Sequence, residues 1–115
     1  MPKYLGPTPR PASLLARFGS GSVPTLTEDI LSAMKIGKAG HLGMPILGTS
    51  LSNAYRVELL RIGKCNVWTD PDAAGRKSAN KIMRQLNGWG LSVRNIVSER
   101  DPKKHTIDEI KEYLR

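Results

Sequence analysis

Four times in this chain a short apolar run is followed within a few residues by a stretch with helical spacing, and that alternation limits the fold more than any other feature. Strands joined through helices by short links lie in one sheet, mainly parallel, with right-handed crossovers. The spacing predicts strands over 23–26, 41–47, 64–69 and 91–97. It predicts helices over 28–36, from Ser50 or Ser52 to Gly63, over 72–87, and from Thr106 onward. The expected fold is therefore α/β, a mainly parallel four-stranded sheet flanked by helices.

The helices carry their own signals. In the first, Ile30, Leu31 and Met34 recur at helical spacing before Gly37; in the second, Ala54, Val57 and Leu60 or Arg61 form a stripe. The third turns Ala79, Ile82, Met83 and Leu86 inward and ends at Gly88 and Gly90. Thr106-Ile107-Asp108-Glu109 is a capping box that opens the last helix, with Ile107, Ile110 and Leu114 inward. Residues 1–22 hold Pro2, Pro7, Pro9 and Pro11 and then Gly19-Ser20-Gly21-Ser22, which predicts a basic arm and linker ahead of a globular unit over 23–115. Within the arm, Leu14, Leu15 and Phe18 suit either a helical turn docked on the body or the remnant of an upstream domain.

A chain of 115 residues supports one modest domain. Its formal charge of +8 favours a polyanionic partner, because neutralising phosphates supplies most non-specific nucleic-acid affinity. The single cysteine, Cys65, excludes an internal disulfide and a cysteine zinc site, and its place in a strand suits a small buried hydrophobe. No apolar run is long enough to span a bilayer and no signal-peptide pattern opens the chain, so the expected location is cytoplasmic.

The acids fall into a pattern on this frame. Glu28 follows the first strand, Asp70 and Asp72 the third, and Asp101 the fourth. Ligands of open α/β sheets gather outside the carboxyl ends of the strands, so these four residues belong to one edge. Side chains two apart in an extended segment point the same way, which would let Asp70 and Asp72 share one hard cation such as Mg²⁺. Gly75 would admit a close backbone or phosphate. Two of the acids also have a structural reading: Asp72 as the N-cap of the third helix, and Glu28 as the partner of Thr25 in a capping box. Lys77, Lys81 and Arg84 share an outer helix face, either solvated or guiding a polyanion. His41 and His105 are isolated, and Trp68 and Trp89 suit the core or its edge better than base stacking.

These motifs resemble the TOPRIM domain of primases, topoisomerases and some small nucleases. Thr27-Glu28 is similar to its glutamate motif, and Asp70-Pro71-Asp72-Ala73-Ala74-Gly75-Arg76 to its DxD motif with the tail favoured by primases. Gly48-Thr49-Ser50-Leu51 is similar to the turn after the second strand, Glu99-Arg100-Asp101-Pro102 to the last acidic loop, and Thr-Glu-Asp-Ile-Leu-Ser-Ala to phage primases.

The resemblance implies a Rossmann-like TOPRIM fold. It implies Glu28 as general acid or base or metal ligand, and Asp70 and Asp72, with Asp101 as a weaker ligand, holding Mg²⁺ or Mn²⁺ for nucleotidyl or phosphoryl transfer. Arg76, Lys77, Lys81 and Arg84 would guide a template or a nucleoside triphosphate. The partners implied are DNA or RNA and a replication protein such as a helicase or a missing primase subdomain, in the host cytoplasm if phage-encoded. Two departures matter: Ser32 and Lys103 stand where primases usually carry acids. They favour one Mg²⁺ on Glu28, Asp70 and Asp72 over two ions about 3.5 to 4 Å apart. Residues 1–24 have no room for a zinc module and a polymerase subdomain, so complete primase activity is not expected of this chain alone. A metal-dependent nuclease and a non-catalytic nucleic-acid or partner-binding module are the alternatives.

Overall fold

A computed structural model describes residues 16–46, 51 and 53–115. Four strands, β1 (Pro24–Thr27), β2 (Leu42–Pro45), β3 (Lys64–Val67) and β4 (Ser92–Asn95), form one sheet in the order β2-β1-β3-β4, and every pairing is parallel. Helices α1 (Ile30–Lys38), α2 (Asn53–Ile62), α3 (Ala73–Gly88) and α4 (Ile107–Tyr113) alternate with them, and a 3-10 turn, Pro102–Lys104, precedes α4. The α/β class, the parallel sheet and the flanking helices agree with the expectation from the sequence.

Two apolar clusters lie on the two faces of the sheet. Leu26, Met44, Cys65 and Val67 meet Leu59 of α2 and Ala79, Ile82 and Leu86 of α3 in one of them. Trp68 and Ile96 meet Ile36 of α1 and Ile110 of α4 in the other. Trp68 is fully buried, and its indole N–H donates to the Ser98 hydroxyl at 2.8 Å, which makes it a core residue. Its ring also packs against His105 and Tyr113. Trp89 sits at the edge of the first cluster with Arg56 over its face.

Strand ends and helix faces differ from the sequence reading in instructive ways. The first helix begins at Ile30, with Asp29 as its N-cap accepting from the Ser32 N–H at 2.7 Å. Thr25 is buried in β1, so no Thr25–Glu28 capping box forms and Glu28 stays in the loop. The buried face of α1 is Ser32, Ala33 and Ile36, while Ile30, Leu31 and Met34 are exposed. Gly43 explains the choice: a Cβ there would lie 2.3 Å from the Ala33 carbonyl oxygen, so β2 and α1 meet backbone to backbone and small residues must face the sheet.

In α2 the expected stripe is also displaced. Val57 and Leu60 are exposed, and the buried residues are Leu59 and, against its hydropathy, Glu58. The Glu58 carboxylate bonds Arg17 at 2.5 Å and Arg61 at 2.7 Å. The Arg17 hydrogen bond, more than any other contact, holds this carboxyl below its usual range. Ser50 and Ser52, the two cap candidates of α2, and Leu14 and Leu15 lie outside the described residues. Phe18 forms no helical turn; it makes an antiparallel bridge to Gly43 on the edge strand β2. The third and fourth helices follow expectation, with Ala79, Ile82 and Leu86 buried in α3 and both hydrogen bonds of the Thr106 capping box formed.

Two predictions arise here. Because the Glu58 value is depressed in the fold, its contribution is present above the ordinary value of 4.5 and is lost as the pH falls through the depressed one. Glu58→Gln is expected to cost about 1 to 2 kcal/mol at neutral pH, with the gap to wild type narrowing on acidification, read from urea midpoints at pH 7 and pH 3.5. An equal gap at both values would mean that the ion pairs contribute nothing. The Cys65 thiol is 2% exposed, and burial pushes it up to about 12. It is expected to react with a thiol reagent at pH 8 only after denaturation; stoichiometric labelling of the folded protein would contradict this packing.

Candidate functional site

The strand order turns back on itself between β1 and β3. From β1 the chain crosses to β2 on one side, and it then returns to lay β3 on the other. The loops leaving β1 and β3 thus diverge to opposite faces and open a crevice at the carboxyl edge, the place where open α/β sheets bind ligands. Glu28 is the first residue after β1, and Asp70 follows β3 by three residues.

The crevice is closed at its base by a cross-strand hydrogen bond. The Glu28 carboxylate accepts the Asp70 backbone N–H at 2.7 Å, joining residues 42 apart in the chain. This extends the ladder, since the Trp68 N–H donates to the Leu26 carbonyl at 2.9 Å just before it. Asp72 caps α3, accepting the Gly75 N–H at 2.6 Å, so the structural reading of this residue holds whatever else it does. Gly75 lies against the crevice: a Cβ there would stand 2.0 Å from the Asp70 carbonyl oxygen and 3.0 Å from Glu28 Oε1. The close backbone anticipated from the sequence is the chain's own.

Asp101 enters from the loop after β4. Its carboxylate pairs with the Lys103 ammonium at 3.0 Å, and the same ammonium pairs with Asp29 at 3.1 Å. Burial works against ionised Asp29, but the Ser32 N–H and Lys103 together bring it below the usual carboxylate range. Lys103 in turn is raised, first by its hydrogen bond to Asp101. Asp70 behaves in the opposite way. Burial, then the charges of Asp101 and Glu28, push its carboxyl up to about 6, with Lys103 offsetting only part of the effect.

Asp70 thus carries charge that its surroundings do not neutralise. Hard carboxylates gathered at one edge, with one of them destabilised by its neighbours, are the donor chemistry that a divalent cation satisfies. Among the described residues, however, no three acids stand together as a finished metal-binding group. The fold brings Glu28 and Asp70 into contact, sets Asp72 two residues on at the helix cap, and gives Asp101 to Lys103.

A small cleft of about 120 Å³ adjoins Asp70, lined by Thr69, Pro71, Arg76, Asn80, Asn95 and Ser98 among others. Arg76 therefore lies at the site, held by a hydrogen bond to the Pro71 carbonyl at 3.2 Å. Lys77, Lys81 and Arg84 are exposed on α3 and do not line this cleft. A second basic surface was not foreseen. Lys35, Lys38, Lys103 and Lys104 line a groove of about 390 Å³ between α1 and the 3-10 turn, with Leu31 and Met34. The sequence signal was faint: five elements separate Lys35 and Lys38 of α1 from Lys103 and Lys104 of the 3-10 turn, and no periodicity links the two pairs. Asp29 was equally missed, although Asp29-Ile30-Leu31-Ser32 has the form of an N-cap.

A family model described as Toprim-like matches residues 27–106, more than two thirds of the chain, spanning Glu28, Asp70, Asp72 and Asp101. The chain belongs to the Toprim-like family. A Toprim-like domain is a metal-binding domain that processes nucleic acid, and its divalent ion is typically Mg²⁺. Comparison with curated proteins gives no match. Among the described residues, no helix of this Toprim-like chain is long and apolar enough to cross a membrane.

Proposed function

We propose that this Toprim-like domain performs Mg²⁺-dependent nucleotidyl or phosphoryl transfer on nucleic acid, as part of a primase or primase-like phage replication protein. The observation that carries the reading is the hydrogen bond from the Asp70 N–H to Glu28 at the switch point of the sheet. It fixes a carboxylate from β1 beside the acid of β3, the one whose ionised form is under strain from its neighbours.

In this reading Glu28, Asp70 and Asp72 hold the cation, with Asp101 farther out. The bound ion supplies charge neutralisation on the phosphate oxygens. The Asp70 N–H orients Glu28 through one oxygen, and the other is left to accept the proton of an attacking hydroxyl. Arg76, positioned from the Pro71 carbonyl, meets a phosphate in the adjoining cleft. The lysine-lined groove beside α1 supports a strand passing the acidic edge, and Lys77, Lys81 and Arg84 add charge on the other flank. Residues 1–22 would serve as a basic arm, and a helicase or a further primase subdomain would complete the assembly.

The test uses labelled single-stranded DNA, nucleoside triphosphates and Mg²⁺, with the chain alone and with a primase polymerase subdomain added. Primer extension lost in Glu28→Gln and in EDTA supports the proposal. Strand cleavage with the same dependence would replace it by a nuclease. Salt-sensitive binding that ignores EDTA, with no turnover, would leave a non-catalytic module.

A further inference from the structure

We propose that Lys103 is a resident cation of the acidic edge, its ammonium filling the place a second divalent ion would need, so that the protein takes one divalent ion per chain. This deepens the proposed function and rests on the reading of the edge as a divalent-cation site.

Five carboxylates stand on the loops at this edge. Glu28 and Asp29 leave β1, Asp70 and Asp72 leave β3, and Asp101 leaves β4. Lys103 divides them into two groups. Its Nζ stands 3.1 Å from Asp29 Oδ2 and 3.0 Å from Asp101 Oδ2, bridging loops 74 residues apart in the chain. Among the described residues, Glu28, Asp70 and Asp72 make no ion pair with any lysine or arginine. Two acids thus share an ammonium, while three have none.

The ammonium is held in place from several sides. Asp29 cannot swing away, because its other oxygen caps α1 through the Ser32 N–H. The Lys103 backbone is fixed by the 3-10 turn, in which the Lys104 N–H donates to the Asp101 carbonyl at 2.9 Å. The Lys103 carbonyl itself accepts from the Lys35 ammonium at 3.3 Å, which ties the turn to α1. The Lys103 side chain is 29% exposed, so the pair is partly shielded from solvent and salt.

An ammonium has three donors and no lone pair, so Lys103 cannot become a ligand. A second divalent ion on Asp101 and Asp29 would have to displace it from both carboxylates and then face its charge at short range. A single divalent ion near Asp70, by contrast, displaces no ammonium: Glu28, Asp70 and Asp72 have no lysine or arginine partner among the described residues, and the Lys103 charge only partly offsets the acids around Asp70. Unlike a bound metal, this cation is covalently part of the chain and stays when a chelator is added.

Counting bound Mn²⁺ by titration calorimetry, with free Mn²⁺ measured by electron paramagnetic resonance, tests the idea on the full chain. Wild type is expected to bind one ion, and Lys103→Asp, which removes the ammonium and adds a carboxylate, two. Two ions on wild type, or one on a folded Lys103→Asp protein, would overturn the inference while leaving the metal site intact. No ion on either would remove the site reading and this inference together. If Lys103→Asp does not fold, the wild-type count decides alone.

Discussion

Asp70→Asn is expected to make the metal-free protein more stable, by about 1 kcal/mol or about 4 to 8 °C in melting temperature, while removing its stabilisation by Mn²⁺. The Asp70 carboxyl is pushed up to about 6 by burial and by the charges of Asp101 and Glu28. At full strength that displacement from 3.8 would correspond to about 3 kcal/mol. The group is only partly buried, and solvent screening reduces the figure to about a third.

Asparagine keeps the size of the side chain and removes the charge that its neighbours repel. The folded value lies above the unfolded one, so the native state holds this proton more tightly. The resulting stability is fully present below 3.8 and is lost as the pH rises through about 6. The advantage of Asp70→Asn should therefore be largest at pH 7.5 and should fade only as the pH falls toward 3.8, in melting curves recorded with EDTA. Saturating Mn²⁺ should raise the wild-type curve and leave the variant where it was. A variant less stable than wild type at pH 7.5, and equally responsive to Mn²⁺, would mean that Asp70 is an ordinary surface acid.

Gly75→Ala is expected to cost about 2 to 3 kcal/mol, lowering the urea midpoint by about 1 to 2 M, and to abolish Mn²⁺ binding. The cause is space rather than backbone conformation, since Gly75 is an ordinary helical residue of α3. The new methyl would stand 2.0 Å from the Asp70 carbonyl oxygen and 2.8 Å from its carbon, which are backbone atoms without freedom to step aside. Either α3 lifts from the crevice or the Asp70 loop moves. Both break the Asp72 cap and pull the Asp70 N–H from Glu28.

Gly88→Ala is the matched control within the same helix. A methyl there meets nothing within 4 Å, and the change is expected to be neutral or to stabilise by about 0.5 kcal/mol. If both substitutions leave the urea midpoint unchanged, the close approach at Gly75 does not exist in solution.

The alternation of apolar runs with helical patterns was enough to determine an α/β sheet of parallel strands, because short links and chirality leave few other ways to bury those runs. The capping box at Thr106 and the inward face of α3 were legible for the same local reason: partners three or four residues apart need no distant contact. The placing of Glu28, Asp70, Asp72 and Asp101 beyond strand ends also followed from element order alone.

What the sequence could not decide depended on distant backbone. Helix α1 presents Ala33 and Ile36 rather than Leu31 and Met34 because Gly43 admits the helix at backbone distance. Glu58 is buried because Arg17, 41 residues away, comes to meet it. Only the strand order β2-β1-β3-β4 makes β1 and β3 neighbours, and only that adjacency joins Glu28 to Asp70 and gives Asp29 and Asp101 a common lysine. Local patterns record which residues want burial or a cap; charge meeting charge across the sheet is settled by which strands pair, and no periodicity along the chain encodes that.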